Sequence, residues 1–470
     1  MTLKSFIGNR TFYKVVLGVA VPIVIQQFMS NFVNMLDNIM IGRVGTVEMT
    51  GASVANMLIF VFNLAIFGAL SGISIFTAQY YGNNDNEGIR YTVRAKIIIG
   101  LFLSAAAILI FIFFGRALLS TYLQGEGSAA DAAASLEYGE RYLIIMLVGF
   151  VPFAMSQALA TTLRETGETL LPMKAGVAAI LVNLVFNYIL IFGKLGVPAM
   201  GVAGAAIATV LSRFVELAIV AIWTFRKRKT KCVFIQGLFK SLRVPAKLIK
   251  EMLKRGAPLL ANEILWSLGT VMVNQCYSIR SLDVMAAINI NSTIFNVCSC
   301  TYMAMGSAVG ILVGKSLGAG DFKGAKDTAN KLLAFSIMIS IVVGGILIGL
   351  AWLFPMLYNT SDSVRGLAST FILINGLFSP FFATVHVIYF TLRSGGKTWI
   401  TFFFDSVYEV CIVYPLVFVL SRFTDVDVVW MYVAAQATNL IKVVVGLILF
   451  FKGIWVNRII EDKKPAEAEG

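Results

Sequence analysis

Charged side chains and histidine are scarce in this sequence. Lys, Arg, Asp and Glu together make up 13% of the 470 residues, and the chain has one histidine. A soluble domain usually carries about 25% charged residues, because charged groups keep its surface in contact with water. This shortage excludes an ordinary soluble globular protein.

Catalytic and metal-binding motifs are also missing. One histidine cannot build an HExxH zinc motif, and no GxxxxGK[ST] loop for nucleotide phosphates occurs. The cysteines are odd in number and form no CxxC pair: Cys232, Cys276, Cys298, Cys300 and Cys411. They are expected to be small packing residues rather than disulfides or metal ligands. We expect neither an enzyme nor an ATP-driven pump, and no cofactor.

Long apolar runs are what the sequence does contain. Hydrophobic residues make up 58% of the chain, and a membrane-spanning helix needs about 20 largely apolar residues in succession. The predicted spans, twelve in number, cover residues 15–41, 51–80, 95–114, 140–163, 170–193, 201–225, 257–279, 284–314, 332–354, 366–391, 399–421 and 428–452. The fold class is therefore an all-α polytopic membrane protein.

The net charge of +13 is unevenly divided between the two sides of the predicted spans. One side has most of the basic residues, with eleven between Arg226 and Arg255, and Arg213 is the main basic residue assigned to the interior of a span. The opposite side carries Arg43, Arg116, Arg141, Lys194, Arg280, Arg365 and Arg422. Because basic loops stay in the cytoplasm, both termini are predicted to be cytoplasmic. The protein is predicted to lie in the inner (cytoplasmic) membrane of the cell. Membrane orientation explains the excess charge, so no nucleic-acid partner is expected.

The two halves of the chain repeat each other. At an offset of 236 residues Gly82 aligns with Gly318, and at an offset of 229 the segment TTLRETGET aligns with FTLRSGGKT. Six spans thus repeat as six more in the same orientation, which predicts two pseudo-symmetric lobes. The predicted domains are an N-terminal lobe at 1–225, a basic cytoplasmic connector at 226–256 and a C-terminal lobe at 257–470, which ends in a short charged cytoplasmic tail. The alternative is a duplicated scaffold without a transport path.

A row of polar side chains follows the first predicted span. Its members are Gln26, Ser30, Asn34 and Asp37. Their spacings of four, four and three place them on one helical face. Lipid cannot satisfy such groups, so this face must point at other helices or at water. Asp37 has no basic residue within its own span, and in a hydrated pocket it can exchange a proton or a small cation. A capping role, or a hydrogen bond between helices, is the alternative.

Five residues of the C-terminal lobe join Gln26 and Asn34 as candidates for a substrate cleft or a second cation site. Asn274 and Asn289 belong to polar rows on the seventh and eighth spans, and Glu263 also lies in the seventh. Asp405 and Glu409 are four residues apart on the eleventh span, which places them on one face. For Glu263 the alternative is a structural hydrogen bond between helices. For the other two acids the alternative is a neutral, hydrogen-bonded state.

Several segments resemble the multidrug and toxic compound extrusion (MATE) family. They are NMLDNIMIG, GNNDNEGIR, LRETGETLLPM, NLVFNYILIFG and MGVAGAAIATVLSR, which are spread over the N-terminal half, and the C-terminal half carries the second copy. The resemblance covers essentially the full chain. Within the family, the sequence looks most like the branch of DNA-damage-inducible-protein-F-type bacterial transporters.

This resemblance implies twelve helices in two lobes that form a V-shaped cleft. It also implies a cation site at Asp37, at an Asn-x-x-x-Asp pair on the fifth span, and at a threonine of the sixth span, here Thr209. Asn183 matches the first member of the pair, but Asn187 stands where the family has Asp. Such a site can still take one proton, and it can equally offer oxygen ligands to Na⁺ at Asp37, Asn183 and Asn187.

The function that the resemblance implies is export of amphiphilic, often cationic drugs or toxic organic compounds by alternating access, in exchange for H⁺ or Na⁺. The expected partners are these small molecules and the lipid bilayer, and the chain is expected to be a monomer. The alternative on the same fold is a flippase for a lipid or a lipid-linked sugar. A flippase would need cationic residues to bind a pyrophosphate group.

Overall fold

The chain folds into long α-helices that are joined by short connections. The computed structural model describes residues 6–122 and 129–461, apart from the side chains at positions 33–35, 38, 39, 129 and 282. The α-helices of this part are α1 (Arg10–Gly42), α2 (Thr46–Gly82), α3 (Asn86–Tyr122), α4 (Ala129–Leu147), α5 (Phe150–Glu165), α6 (Leu170–Phe192), α7 (Val202–Arg226), α8 (Ala246–Ser278), α9 (Leu282–Gly318), α10 (Phe322–Leu350), α11 (Asp362–Ser394), α12 (Thr398–Phe402), α13 (Tyr414–Phe423) and α14 (Val428–Lys452).

The described residues contain twelve segments that can cross a membrane. Eleven helices are long and apolar enough, and α4 and α5 together form a twelfth, bent span. One of the eleven, Thr398–Phe423, consists of α12, α13 and the π-helical turns between them. The prediction of an all-α protein with twelve spans is confirmed.

The bend between α4 and α5 is caused by a proline residue. The two helices meet at 50° around Val148 and Gly149. Pro152 lies in the first turn of α5, and a proline has no N–H to donate to the carbonyl four residues earlier, which belongs to Val148. Its ring also clashes with that carbonyl in a regular helix. The chain therefore breaks at this point and continues in a new direction.

The contacts within the chain define two compact units, whose limits differ from the predicted lobes. The N-terminal unit comprises Ile25–Thr77 and Asn86–Glu251. The C-terminal unit comprises the chain from Met252 onward, Ala78–Asp85 and the chain up to Val24. The helix α1 is thus divided between the two units. It is long enough for this, because its 33 residues extend for about 50 Å. The first half of α1 can therefore join the apolar core of α9, α10 and α11.

The ends of α2 and α9 cross within the C-terminal unit at two glycines. A Cβ atom on Gly82 would lie 2.0 Å from the carbonyl oxygen of Lys315, and one on Gly318 would lie 1.9 Å from that of Gln79. Gly82 corresponds to Gly318, and Gln79 to Lys315, at the repeat offset of 236. The contact is thus reciprocal between positions that are equivalent in the sequence repeat.

Side chains add polar contacts to this crossing. The amide of Gln79 donates to the carbonyl oxygen of Ser394 over 3.1 Å, and its own oxygen accepts from the backbone N–H of Ile459 over 2.8 Å. Gln79 is fully buried, so these bonds replace those that it would make with water. The helices therefore approach closely at the glycines without leaving the buried Gln79 side chain short of hydrogen-bond partners.

We expect the substitution Gly318→Ala to destabilise the protein by about 1–3 kcal/mol, because the new methyl group would overlap backbone that cannot move independently. Gly345→Ala on α10 is the matched control, since a Cβ atom there meets nothing within 4 Å. It should be neutral, or stabilising by up to about 1 kcal/mol. Thermal unfolding in detergent measures both effects. Equal midpoints for the two variants would contradict a close crossing at Gly318.

Candidate ion-binding site

The carboxylate of Asp37 is held by an amide. Asn187 of α6 donates a hydrogen bond from Nδ2 to Oδ1 of Asp37 on α1, over 2.5 Å. Within the described part of the chain, no lysine or arginine forms an ion pair with Asp37. A negative charge on Asp37 is therefore stabilised by a hydrogen bond and by dipoles rather than by an opposite charge.

A chain of hydrogen bonds continues from Asp37 across three helices. Asn187 also donates from Nδ2 to Oδ1 of Asn183 over 3.1 Å, and Asn183 donates from Nδ2 to the hydroxyl of Thr209 on α7 over 3.2 Å. The Thr209 hydroxyl donates in turn to the carbonyl oxygen of Ala205, one helical turn earlier. The structure thus brings together all four residues of the predicted cation-coupling site: Asp37, Asn183, Asn187 and Thr209.

One oxygen in this chain lacks a partner. Asn187 is fully buried, and its Oδ1 atom forms no hydrogen bond with any described residue. A buried carbonyl oxygen without a partner costs about 1–3 kcal/mol relative to one that is satisfied. Na⁺ and a protonated carboxyl group would each satisfy such an oxygen, the first as an oxygen ligand and the second as a donor. The residues present therefore fit either coupling ion.

Close packing of α6 on α7 places Thr209 next to Asn183. The two asparagines are four residues apart on α6 and therefore share one face. On α7, a Cβ atom at Gly204 would lie 2.7 Å from the carbonyl carbon and oxygen of Leu190. Glycine at this position lets the helix backbones approach closely, as small residues do in membrane helix pairs. The short Thr209 side chain can then reach Asn183.

Tyr142 is a neighbour of the site that the sequence did not indicate. It lies on α4, is buried, and its hydroxyl interacts with the side chains of Thr209 and Asn56. A tyrosine within an apolar span looks like an ordinary core residue, so only the tertiary structure relates Tyr142 to the site.

Asp405 is paired differently from Asp37. Its Oδ1 atom accepts from the ammonium group of Lys442 on α14 over 2.9 Å, and its Oδ2 atom accepts from Asn262 on α8 over 3.2 Å. Lys442 is buried, and its ammonium also lies 5.4 Å from the ring centre of Tyr408. The prediction that Arg213 is the main basic residue of the membrane interior is wrong, because Lys442 also lies within a span.

Glu263 and Glu409 belong to the same cluster of charges. Glu263 interacts with Arg393, Asp405 and Asn262, and Glu409 interacts with Lys442 and Asp405. The three predicted acids of the C-terminal unit are therefore brought together, with two basic residues among them. The cluster thus holds three acids and two bases.

The backbone at Asp405 and Glu409 is π-helical. Two π-helical segments, Phe403–Val407 and Glu409–Val413, interrupt the span between α12 and α13. The sequence analysis treats the span as a regular helix, so these turns were missed. Such turns occur often at functional sites of membrane and soluble proteins. Their presence next to Lys442 marks the cluster as a specialised part of the C-terminal unit.

Among the remaining candidates, the described side chains of Gln26, Asn274 and Asn289 form no hydrogen bond with either group. Gln26 is half-buried and lies against α6, where a Cβ atom on Gly176 would be 3.2 Å from its amide nitrogen. Asn274 is half-buried and Asn289 is exposed. The side chain of Asn34 lies outside the described residues. A role of these four residues in a substrate cleft stays a prediction.

Polar and charged residues buried inside membrane spans are typical of transporters and channels, in which they mark ion and substrate paths. Comparison with known families narrows this class. The sequence profile of the MatE family matches residues 22–189 and 258–419, one match in each half of the chain. The chain belongs to the MatE family of multidrug transporters and is not an enzyme.

Curated relatives extend over nearly the whole chain. The sequence is 25% identical over 472 residues to a probable multidrug resistance protein NorM from Thermotoga maritima, with 97% of this chain and 96% of the relative covered. It is also 25% identical over 454 residues to the probable multidrug resistance protein YoeA from Bacillus subtilis, with 94% of each covered. These relatives agree with a multi-pass transporter, and the predicted branch within the family stays a prediction.

Solved structures share the fold. A transporter of the MOP superfamily from Pyrococcus furiosus superimposes with a TM-score of 0.83 at 18% identity, covering 96% of this chain and 97% of that one. A mutant of the Vibrio cholerae MATE transporter VcmN gives a TM-score of 0.83 at 16% identity, covering 94% and 97%. At this identity the likeness concerns the fold alone, and the predicted fold class is confirmed.

We expect Lys442→Met to destabilise the protein by about 3–5 kcal/mol, because it leaves the Asp405 charge buried without its partner. The double variant Lys442→Met with Asp405→Asn should recover most of this loss, since both charges are then absent. Lys452→Met, at the exposed end of the same helix, is the control and should change the unfolding midpoint little. A double variant no more stable than the single one would contradict the ion pair.

Proposed function

We propose that the protein is a cation-coupled antiporter that exports amphiphilic, often cationic organic compounds in exchange for H⁺ or Na⁺. The observation that supports this most is the hydrogen-bonded chain from Asp37 to Thr209, with the unpartnered oxygen of Asn187 at its centre. It provides a carboxylate that can change its charge and an oxygen that can receive the incoming ion. Multidrug resistance names among the relatives support the substrate class.

The Asn187 amide is the part of the site that can respond to the ion. Its Nδ2 group uses both hydrogens, one toward Asp37 and one toward Asn183. A proton on Asp37, or a Na⁺ ion beside it, would be satisfied by an oxygen of the amide but not by this donor. The amide would therefore turn so that Oδ1 faces Asp37. This rotation would also break the hydrogen bond to Asn183, and with it the continuous chain of hydrogen bonds from Asp37 to Thr209.

This change couples ion binding to helix arrangement. Asp37, Asn183 and Thr209 lie on α1, α6 and α7, so loss of the hydrogen bonds between them alters the contacts of three helices. Alternating access then needs two arrangements of these helices that bind the ion unequally. One elementary charge that crosses a potential of 100 mV supplies about 2.3 kcal/mol, which shifts a two-state equilibrium about fifty-fold.

The cluster around Lys442 has a second role in this proposal. The lysine ammonium already supplies a positive charge to Asp405, so this acid does not need an external cation. Glu263 and Glu409 remain as the acids that could attract a cationic substrate or a second ion. The coupling ion would accordingly bind in the N-terminal unit, near Asp37.

The flippase alternative requires buried cations that are free to bind a pyrophosphate. The buried cations named above already have partners. Lys442 is bound to Asp405, and Arg213 donates to the carbonyl oxygen of Gly149 and lies over the ring of Phe153. Arg393 lies over the ring of Phe390 and interacts with Glu263. We therefore favour export of organic cations. A lipid-translocation assay on the same proteoliposomes distinguishes the two functions.

We expect Asp37→Asn to reduce ion-driven export of a cationic dye to the background level, because the side chain can no longer change its charge. Export is measured in proteoliposomes under separately imposed H⁺ and Na⁺ gradients, so that the wild-type protein identifies the coupling ion. The control is Asp425→Asn, which changes the same residue type at an exposed position between α13 and α14. Export by Asp37→Asn at the wild-type rate, or wild-type export driven by neither gradient, would contradict the proposal.

We expect Asn187→Leu to raise the ion concentration for half-maximal exchange by about 10- to 100-fold, the usual effect of losing a group that orders an ion site. Asn187→Asp is the matched variant, because it keeps an oxygen at this position. It should retain ion binding with a different pH dependence, since two adjacent carboxylates titrate as a coupled pair. An unchanged half-maximal concentration in Asn187→Leu would exclude the amide from the ion site.

A further inference from the structure

The basic connector after α7 is fixed to the end of a membrane-spanning helix. Arg94 of α3 is buried and donates three hydrogen bonds to the backbone of the connector. The acceptors are the carbonyl oxygens of Leu238 (2.9 Å), Gly237 (2.8 Å) and Arg243 (3.2 Å). Arg90 donates to the carbonyl oxygen of Phe234 over 3.3 Å. These bonds order the connector, although its eleven Lys and Arg residues would suggest a solvated loop.

Apolar residues of the connector pack beneath this backbone. Phe234, Ile235 and Leu238 are buried, and so is Cys232. Burial raises the pKa of the Cys232 thiol to about 11, so this side chain stays a neutral packing group. Gly237 has a φ of +73°, which allows the chain to reverse between two short helical turns. The fold of the connector is therefore specific.

This fold forms an open cavity of 590 Å³ at the end of α7. Its lining combines basic and apolar side chains, including Phe225, Arg228, Lys229, Leu238, Phe239 and Lys240. The rings of Phe225 and Phe239 stack with their centres 6.1 Å apart and their planes 18° apart, and Phe239 is 60% exposed. An exposed aromatic pair next to three cations is an amphipathic surface.

The position of the cavity determines what it can bind. Phe225 is the penultimate residue of α7, a candidate membrane span, so a bilayer around this span would place the cavity near the boundary between hydrocarbon and lipid headgroups. Residues 226–256 contain eleven basic residues and a single acid, Glu251. Anionic headgroups are attracted to basic clusters immediately beyond a membrane helix, and basic pockets between membrane helices bind phospholipid headgroups. A soluble anion would not require the exposed aromatic pair.

We propose that this cavity binds the phosphate headgroup of an anionic phospholipid. Arg228, Lys229 and Lys240 contact the phosphate, and the acyl chains lie against Phe225 and Phe239. Because α7 carries Thr209 at its other half, a bound lipid would anchor the end of a helix that contributes to the ion site. The lipid site itself does not depend on the proposed antiport activity.

The test measures lipid retained by the purified full-length chain in detergent. Equal amounts of phosphatidylglycerol and phosphatidylcholine are added, and native mass spectrometry counts the bound molecules. The cavity variant carries Arg228→Ala, Lys229→Ala and Lys240→Ala. The matched control removes the same charge at exposed connector positions outside the cavity lining: Lys227→Ala, Lys250→Ala and Lys254→Ala.

We expect the wild-type protein to retain phosphatidylglycerol in preference to phosphatidylcholine. The cavity variant should bind it at least about tenfold more weakly, equivalent to about 1.4 kcal/mol. The control variant should stay within about twofold of the wild-type protein. Equal losses in both variants would reduce the effect to diffuse electrostatic attraction and overturn the site, as would a wild-type protein without lipid preference.

Two further measurements keep the test decisive. If the triple variant unfolds, Lys240→Glu should weaken binding of phosphatidylglycerol by repulsion, whereas Lys250→Glu should do so much less, and equal effects would overturn the proposal. Inorganic phosphate at the same concentration as the lipid should not displace it, because the phosphate lacks acyl chains. Complete displacement would assign the cavity to a free anion and overturn the lipid assignment.

Discussion

The structure depends on the rule that a polar group inside a membrane protein must find its partner within the protein. Lipid offers no hydrogen bonds, so each buried polar side chain has to meet another from a neighbouring helix. Asp37 and Asp405 satisfy this rule in opposite ways. Asp405 meets the ammonium of Lys442, which cancels its charge. Asp37 meets the neutral amide of Asn187, which stabilises the charge without cancelling it.

In the proposed mechanism, this difference separates an acid that already has a cationic partner from one that can exchange an ion. A carboxylate that is already paired with a buried ammonium gains little from a further cation. A carboxylate held only by dipoles gains much more, because an incoming ion replaces a weak interaction by a strong one. The Oδ1 atom of Asn187, which has no hydrogen-bond partner among the described residues, supports the same proposal, because an incoming ion would satisfy it.

Glycines provide the helix proximity on which these contacts depend. Gly204 lets α6 and α7 approach until Asn183 reaches Thr209, and Gly82 and Gly318 let α2 and α9 cross backbone to backbone. Apolar burial contributes little to helix association within lipid, so close packing and hydrogen bonds must do more of the work. A polar network and a close crossing therefore occur together in both units.

Much of this protein was determined by its sequence alone. Hydropathy specifies twelve spans because each span must match the thickness of the bilayer, and the four-residue spacing of Asn183 and Asn187 places them on one face. Which distant helices pack against each other leaves no periodic pattern in the sequence, so only the tertiary structure decided it. Lys442, Tyr142 and the π-helical turns at Asp405 have ordinary local sequences, so their roles depend on which helices pack together. The same reason explains why the first half of α1 joins the C-terminal unit, which no local pattern indicates.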